Sequence, residues 1–288
     1  MKKWITLLTV FLFLQATVSR AQTNQKESLL WEITGNGLQQ PSYLFGTIHI
    51  ICKEDFLMSD TIRNKFNRAD EIYLELDMDD PSMQSKMMQL MKLPQGETLE
   101  QLFGADYPVA DSFFKAKTGF PIRMFNQYKP MMLQSLLYQT ILPCGLPESY
   151  EMYFVNMAKT KGKSVNGLET LESQIAVFDS IPDQEEIKWL LEWVRQYDKQ
   201  LADFNRMLQL YTHQELNQMF DFIRSSPEMA GYEEVLLNKR NRNWIPVMEQ
   251  VMHNKSAFFA VGAGHLPGPS GVIALLRNKG FRVEPVQF

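Results

Sequence analysis

Residues 257–265 read Ala257-Phe258-Phe259-Ala260-Val261-Gly262-Ala263-Gly264-His265, a short apolar run that closes on Gly-x-x-His. A run of this length, apolar throughout and bounded by glycine, reads as a strand buried on both faces. The same grammar opens the chain's other end, where Tyr43-Leu44-Phe45-Gly46-Thr47-Ile48 leads to His49. Two further runs end on carboxylates. Glu71-Ile72-Tyr73-Leu74 precedes Glu75-Leu76-Asp77, and Ser164-Val165-Asn166-Gly167-Leu168 precedes Glu169. Glycine close to both histidines points to a tight bend or a close backbone approach there.

Helical patterns fill the intervals. Ser59–Arg68 leads into the second strand, and Glu151–Lys161, with Met152, Val155 and Ala158 on one face, leads into the third. Asp183–Leu210 reads as one long helix, and Thr212 with Glu215 forms a capping-box pattern that opens another through Phe222. Tyr232–Met252 precedes the fourth strand, with a break expected near Pro246. Gly271–Asn278, Gly280 and Phe281–Val286 read as helix, cap and last strand. The alternation predicts an α/β fold: a largely parallel central sheet covered by helices, with helix-rich insertions at about 83–147 and 183–255. Met87, Met88, Met91, Met131 and Met132 fall in the first insertion, where gap-filling in the core is the commoner use and a binding groove the alternative.

The 288 residues are 45% hydrophobic and 22% charged, the balance of a globular chain. Lys2 and Lys3, an apolar run over Trp4–Leu14, and Ser19-Arg20-Ala21 before Gln22 form the pattern of a secretory signal peptide, residues 1–21. The apolar stretch is well short of the ~20 residues that cross a bilayer. Residues 22–288 are then expected as a single exported domain, periplasmic or secreted, with no stable membrane insertion after cleavage. Losing three basic residues with the signal takes the net charge from −4 to −7, so a nucleic-acid partner is not expected. Cys52 and Cys144 are the only cysteines. In an oxidising compartment such a pair favours one disulfide. Two free thiols are the alternative, and thiolate ligation matches no zinc-type spacing.

Ligands of open α/β sheets bind beyond the carboxyl ends of the strands. His49, Glu75, Glu169 and His265 are all read at such ends. Two imidazoles and two carboxylates there suit a divalent ion of the Zn, Mn or Co kind, and a carboxylate outside the ligand set suits a general base. Each residue alone has an ordinary structural reading, as a helix cap or a satisfied histidine. His213 and His253 fall in helical segments and read as surface or packing residues. His-Glu-x-x-His, Gly-x-Ser-x-Gly, the P-loop and the dinucleotide fingerprint are absent.

These motifs together resemble the TraB/GumN family. Tyr43–His49 resembles its first motif, Tyr73–Asp77 its second, and Gly167-Leu168-Glu169-Thr170 with Gln174 its third. Arg240-Asn241 with Trp244 resembles the helix before the last motif, which is Val261–Gly268 followed by Gly271. The resemblance covers about residues 28–288. It implies kinship with the TIKI metalloproteases, which depend on Mn²⁺- or Co²⁺-like ions, and with a wider group holding the erythromycin esterases and the haem-binding ChaN proteins. Carried over by motif, it implies His49, His265 and Glu75 as metal ligands. Glu75, Glu169 and Arg240 become catalytic candidates, the carboxylates as base and the arginine as oxyanion partner. Cys52 and Cys144 lie outside the family's catalytic pattern. The expected function is an exported, metal-dependent, peptidase-like hydrolase acting on a peptide or small molecule. The alternative is an extracytoplasmic binding protein that holds haem or another small ligand in the same crevice, with Tyr43, Tyr73 or the histidines on the iron.

Overall fold

A computed structural model describes residues 27–288; the expected signal peptide lies outside them. Six strands form one sheet: β1 Leu30–Gly35, β2 Ser42–Thr47, β3 Glu71–Leu74, β4 Val165–Gly167, β5 Ala257–Gly262 and β6 Phe281–Pro285. Their spatial order is β4-β3-β5-β2-β1-β6. β4, β3, β5 and β2 run parallel, and β1 is antiparallel to both β2 and β6. The expected α/β architecture is thus present, with β1 as the one reversed strand. Every residue of β2 is buried, as are the first five of β5, which is why both read as unbroken apolar runs.

β1 is the strand that the sequence reading missed. Leu30-Trp31-Glu32-Ile33-Thr34-Gly35 alternates only in part, because Leu30, Trp31 and Ile33 are all buried. The usable signal was the Gly35-Asn36-Gly37 turn, where all three residues take positive φ (79°, 47° and 81°). Six residues separate the strand from β2, too few for a crossover, so the pair must be antiparallel.

Crossover helices return the chain between the parallel strands. Asp60–Arg68 is capped by Ser59, whose hydroxyl accepts from the Ile62 amide. Tyr150–Lys161 is capped in the same way by Ser149, and ends on Gly162 in the left-handed region. Both helices pack on an aromatic cluster in the sheet's core. Phe154 lies 5.8 Å from Phe45 and 5.1 Å from Phe258, and Phe66 lies 5.4 Å from Phe258, between ring centroids. This packing fixes the start of Tyr150–Lys161 beside the end of β2.

Three helix readings need correction. Asp183–Arg195 and Tyr197–Thr212 are two helices, interrupted at Gln196 (φ −132°, ψ 37°). The capping box is not formed: Thr212 closes the preceding helix and its hydroxyl donates to the Gln209 carbonyl, while Gln214 turns the chain at φ 59°. Leu216–Arg224 follows, and Glu215 makes no side-chain cap. Pro246 does not break its helix either. Lys239–Asn254 runs through it, held by buried Trp244, Ile245, Met248 and Met252, and the irregularity is a π-turn at Glu234–Asn238 instead. The methionines of the first insertion behave as filler: Met91, Met87, Met131 and Met132 pack with Leu76, Leu171 and Ile175 in a small satellite cluster. Cys52 and Cys144 form a disulfide with 5.8 Å between their Cα atoms. Among the described residues no helix is long and apolar enough to cross a membrane.

Candidate active site

β2, β3 and β5 finish on one edge of the sheet, with Thr47 level with Gly262 and Leu74 level with Ala260. After β5 the chain tightens into a short turn, Ala263–His265, that leans on β2. A Cβ on Gly46 would lie 3.0 Å from Ala263 Cβ and 3.1 Å from Leu266 Cδ2. Glycine therefore permits the approach that sets His265 beside the end of β2. The glycine before His265 works differently: the Gly262 amide donates to Glu75 Oε1 at 2.7 Å, tying β5 to the residue after β3.

His265 is 5% exposed. Its Nδ1 is 2.6 Å from Asn241 Oδ1, and Asn241 Nδ2 donates to the Ser270 carbonyl at 2.9 Å. Asn241 Oδ1 is thus the acceptor, Nδ1 carries the hydrogen, and Nε2 keeps its lone pair. That lone pair accepts from Arg240 Nη1 at 3.1 Å. Burial, opposed by Glu75 and reinforced by Arg240, holds the imidazole's pKa down to about 3, so the ring is neutral.

Arg240 is the hub. Its Nη2 donates to Glu75 Oε2 and to Glu169 Oε1, both at 2.5 Å, and its Nε to Glu169 Oε1 at 3.0 Å. Its Nη1 also donates to the Leu236 carbonyl, at the π-turn, at 3.1 Å. Gln174 Nε2 donates to Glu169 Oε1 at 3.1 Å and to Glu75 Oε2 at 3.3 Å. Burial pushes the Glu75 carboxyl up. Arg240, the Gly262 amide, His49 and, at the acid pH where its ring is protonated, His265 outweigh it and hold the pKa at about 2. Glu75 is therefore a firmly ionised anion.

His49 stands at the mouth, its side chain 77% exposed, with Nδ1 3.5 Å from Glu151 Oε1. Glu151 is itself fixed: it accepts from the Thr47 hydroxyl at 2.9 Å and from the Ser149 hydroxyl at 2.8 Å. The Glu151 carboxylate raises the His49 imidazole to about 9 against partial desolvation, which favours the charged ring. The disulfide and a backbone bridge between Ile51 and Glu148 fasten the His49 loop to the segment that delivers Glu151.

His49, Glu75, Arg240 and His265 line one cavity of about 580 Å³. Glu169 does not line it, and sits behind Arg240. His213 and His253 are exposed, as expected of surface residues. Tyr43 is buried in the sheet and Tyr73 donates to Glu71 at 3.3 Å; neither lines the cavity, so neither is placed to ligate haem there. Glu151 was missed because it lies about a hundred residues from His49 and carries no motif; its one signal was Ser149 two residues earlier. Asn241 was quoted in a motif without a role. His265 Nε2 and Glu75 Oε1 face each other at 3.9 Å, the spacing of two neighbouring ligands of one ion. Among the described residues, however, no three His, Cys, Asp or Glu side chains stand close enough to hold one ion, and Arg240 engages both donors.

The chain is similar to metalloprotease TIKI2 of Danio rerio, 24% identical over 318 residues that cover 89% of this chain and 60% of the relative. It is 25% identical to metalloprotease TIKI1 of Homo sapiens over 326 residues, covering 92% and 63%. A TIKI homolog of Amphimedon queenslandica is 22% identical over 319 residues, covering 90% and 61%. The chain thus spans about 60% of the length of these relatives. No solved structure matches it significantly. The TraB/PrgY/gumN family matches residues 29–285, from the first strand to the last, and the chain belongs to that family.

Proposed function

We propose that this protein is an exported, metal-dependent hydrolase of the peptidase type. One observation carries the reading: His49, Glu75, Arg240 and His265 share a single cavity at the strand ends, in a family whose curated relatives are metalloproteases. The fit to a divalent ion rests on His265. Its Nδ1 is spent on Asn241, the arrangement that outer-shell partners give a ligating histidine, and its Nε2 faces Glu75 Oε1 at 3.9 Å. His49 lines the same cavity but pairs with Glu151, and would have to give up its proton and move closer to join them as a third donor. An ion of the Mn, Co or Zn kind, when bound, supplies Lewis acidity that polarises a carbonyl and acidifies water.

The remaining work belongs to the chain. Glu75, firmly ionised, suits cation binding better than taking up a proton, provided the ion displaces part of its contact with Arg240. Arg240 lines the cavity, but its five N–H groups are taken by Glu75, Glu169, His265 and the Leu236 carbonyl. Its part is to hold Glu75 and His265 in place, and it serves an oxyanion only on releasing one of them. Glu169 and Gln174 orient Arg240 from behind and do not touch the cavity. The cavity is lined chiefly by apolar side chains and opens to solvent at His49. His49→Ala and His265→Ala should each lose bound metal in elemental analysis of protein purified without chelators, with the circular dichroism unchanged. Full metal occupancy in both variants would refute the assignment. The same protein, supplied with Mn²⁺, Co²⁺ or Zn²⁺, is expected to cleave a peptide library.

A further inference from the structure

The cavity has two kinds of wall. The sheet ends provide the polar groups described above. The helices Pro130–Ile141, Tyr197–Thr212 and Leu216–Arg224 provide Tyr138, Phe204, Met207, Met219 and Ile223, and the π-turn provides Leu237. Tyr211 also lines it, but its hydroxyl is spent on the Gly46 carbonyl at 3.0 Å, so its ring is what it offers. Met207, Ile223 and Met229 are only half-buried, leaving apolar surface turned to the open cavity. None of this wall belongs to the reactive cluster, and the insertions alone build it.

We propose that this wall is a subsite for one bulky apolar side chain of a peptide, aromatic or aliphatic, seated so that an adjoining backbone carbonyl reaches the His49–Glu75–His265 end. The last clause rests on the hydrolase reading; the subsite does not. A volume of about 580 Å³ takes a short peptide segment and no folded partner. The polar end carries both signs of charge, Glu75 and Arg240, which suits the neutral dipole of an amide better than the anionic head of a fatty acid. Three methionines, Met207, Met219 and Met229, bring flexible, polarisable side chains, so Phe, Leu and Met should all be accepted. Ser135 and Gln139 are the polar side chains that the Pro130–Ile141 helix adds to the cavity; neither carries a charge to pair with an ionised side chain, which should be refused.

The test is isothermal titration of the purified protein with acetyl-Ala-Ala-X-Ala-Ala-amide peptides, X being Phe, Leu, Ala or Asp, with and without Mn²⁺. The Phe and Leu peptides should bind at least about tenfold more tightly than the Ala peptide, and the Asp peptide should not bind measurably. Met207→Asp and Met229→Gln should reduce that preference to under about threefold while melting near the parent temperature, because both positions are half-buried and a polar group there stays hydrated. Equal affinities for all four peptides, or an undiminished preference in both folded variants, would overturn the subsite. Binding of sodium laurate without binding of any peptide would overturn it in favour of an acyl chain. Cleavage is scored separately: side-chain preference without cleavage under any metal sinks the hydrolase reading alone, and cleavage without side-chain preference sinks the subsite alone.

Discussion

Replacing Arg240 by methionine isolates the interaction that holds the site together. The guanidinium is the common partner of Glu75 and Glu169, and the three side chains are 8%, 13% and 7% exposed. Arg240 lies over the Trp244 ring, 4.9 Å from its centroid; methionine keeps the length and this contact but leaves two carboxylates inside the protein without their cation. The size of the loss follows from Glu75. Its carboxyl is held at about 2 against an ordinary 4.5, and each unit is ~1.4 kcal/mol, so the ionised form is favoured by roughly 3 kcal/mol net of burial, with Arg240 first among the groups that favour it. Removing one partner of a buried pair costs about 3–5 kcal/mol in general, which agrees. Against a total stability of about 5–15 kcal/mol this is a large fraction. The sign with pH is fixed by the depressed pKa: the parent's stabilisation is complete above 4.5 and is lost as pH falls toward 2. In Arg240→Met, the Glu75 carboxyl loses the first of the groups that hold it down against burial, so the deficit is greatest at pH 7.5 and shrinks by pH 5 as it takes up a proton. Urea unfolding followed by tryptophan fluorescence at the two pH values reads this directly. Adding Glu169→Gln to the variant should restore part of the loss, whereas Glu169→Gln alone should destabilise the parent. A variant within about 1 kcal/mol of the parent at pH 7.5, or a deficit that grows on acidification, would refute the reasoning.

Glu151→Gln should lower the His49 titration midpoint in the metal-free protein from about 9 toward 6.5, seen in imidazole carbon NMR shifts; an unmoved midpoint would show that Glu151 does not govern the ring. Asn241→Leu removes the acceptor at His265 Nδ1, and Mn²⁺ or Zn²⁺ affinity by titration calorimetry should fall about 10–100-fold. The double variant Cys52→Ser, Cys144→Ser opens a loop spanning 92 positions and should cost roughly 4–5 kcal/mol in the chain-entropy account, measured by urea unfolding. Gly46→Ala, whose Cβ meets Ala263 and Leu266 at 3.0–3.1 Å, should cost about 1–3 kcal/mol and reduce metal binding by displacing the His265 turn.

Sequence alone determined the parallel core of the sheet, because β2 and β5 are buried on both faces and burial leaves unbroken apolar runs. It also placed His49, Glu75, Glu169 and His265 at strand ends, since each directly follows such a run or a short turn after it. The reversed strand β1 was hidden because burial interrupts its alternation. The helix break at Gln196 and the continuity through Pro246 were decided by packing, which overrides local propensity. Two features of the candidate site were likewise decided only by the tertiary structure. Arg240 joins Glu75, Glu169 and His265 because three strand ends and one helix converge, and Glu169 thereby lies behind the arginine and away from the cavity. Glu151 meets His49 across about a hundred residues because Phe154 seats its helix against Phe45 and Phe258. Spacing along a chain reports which residues share an element; a contact between elements exists only once the core has set the distance between them.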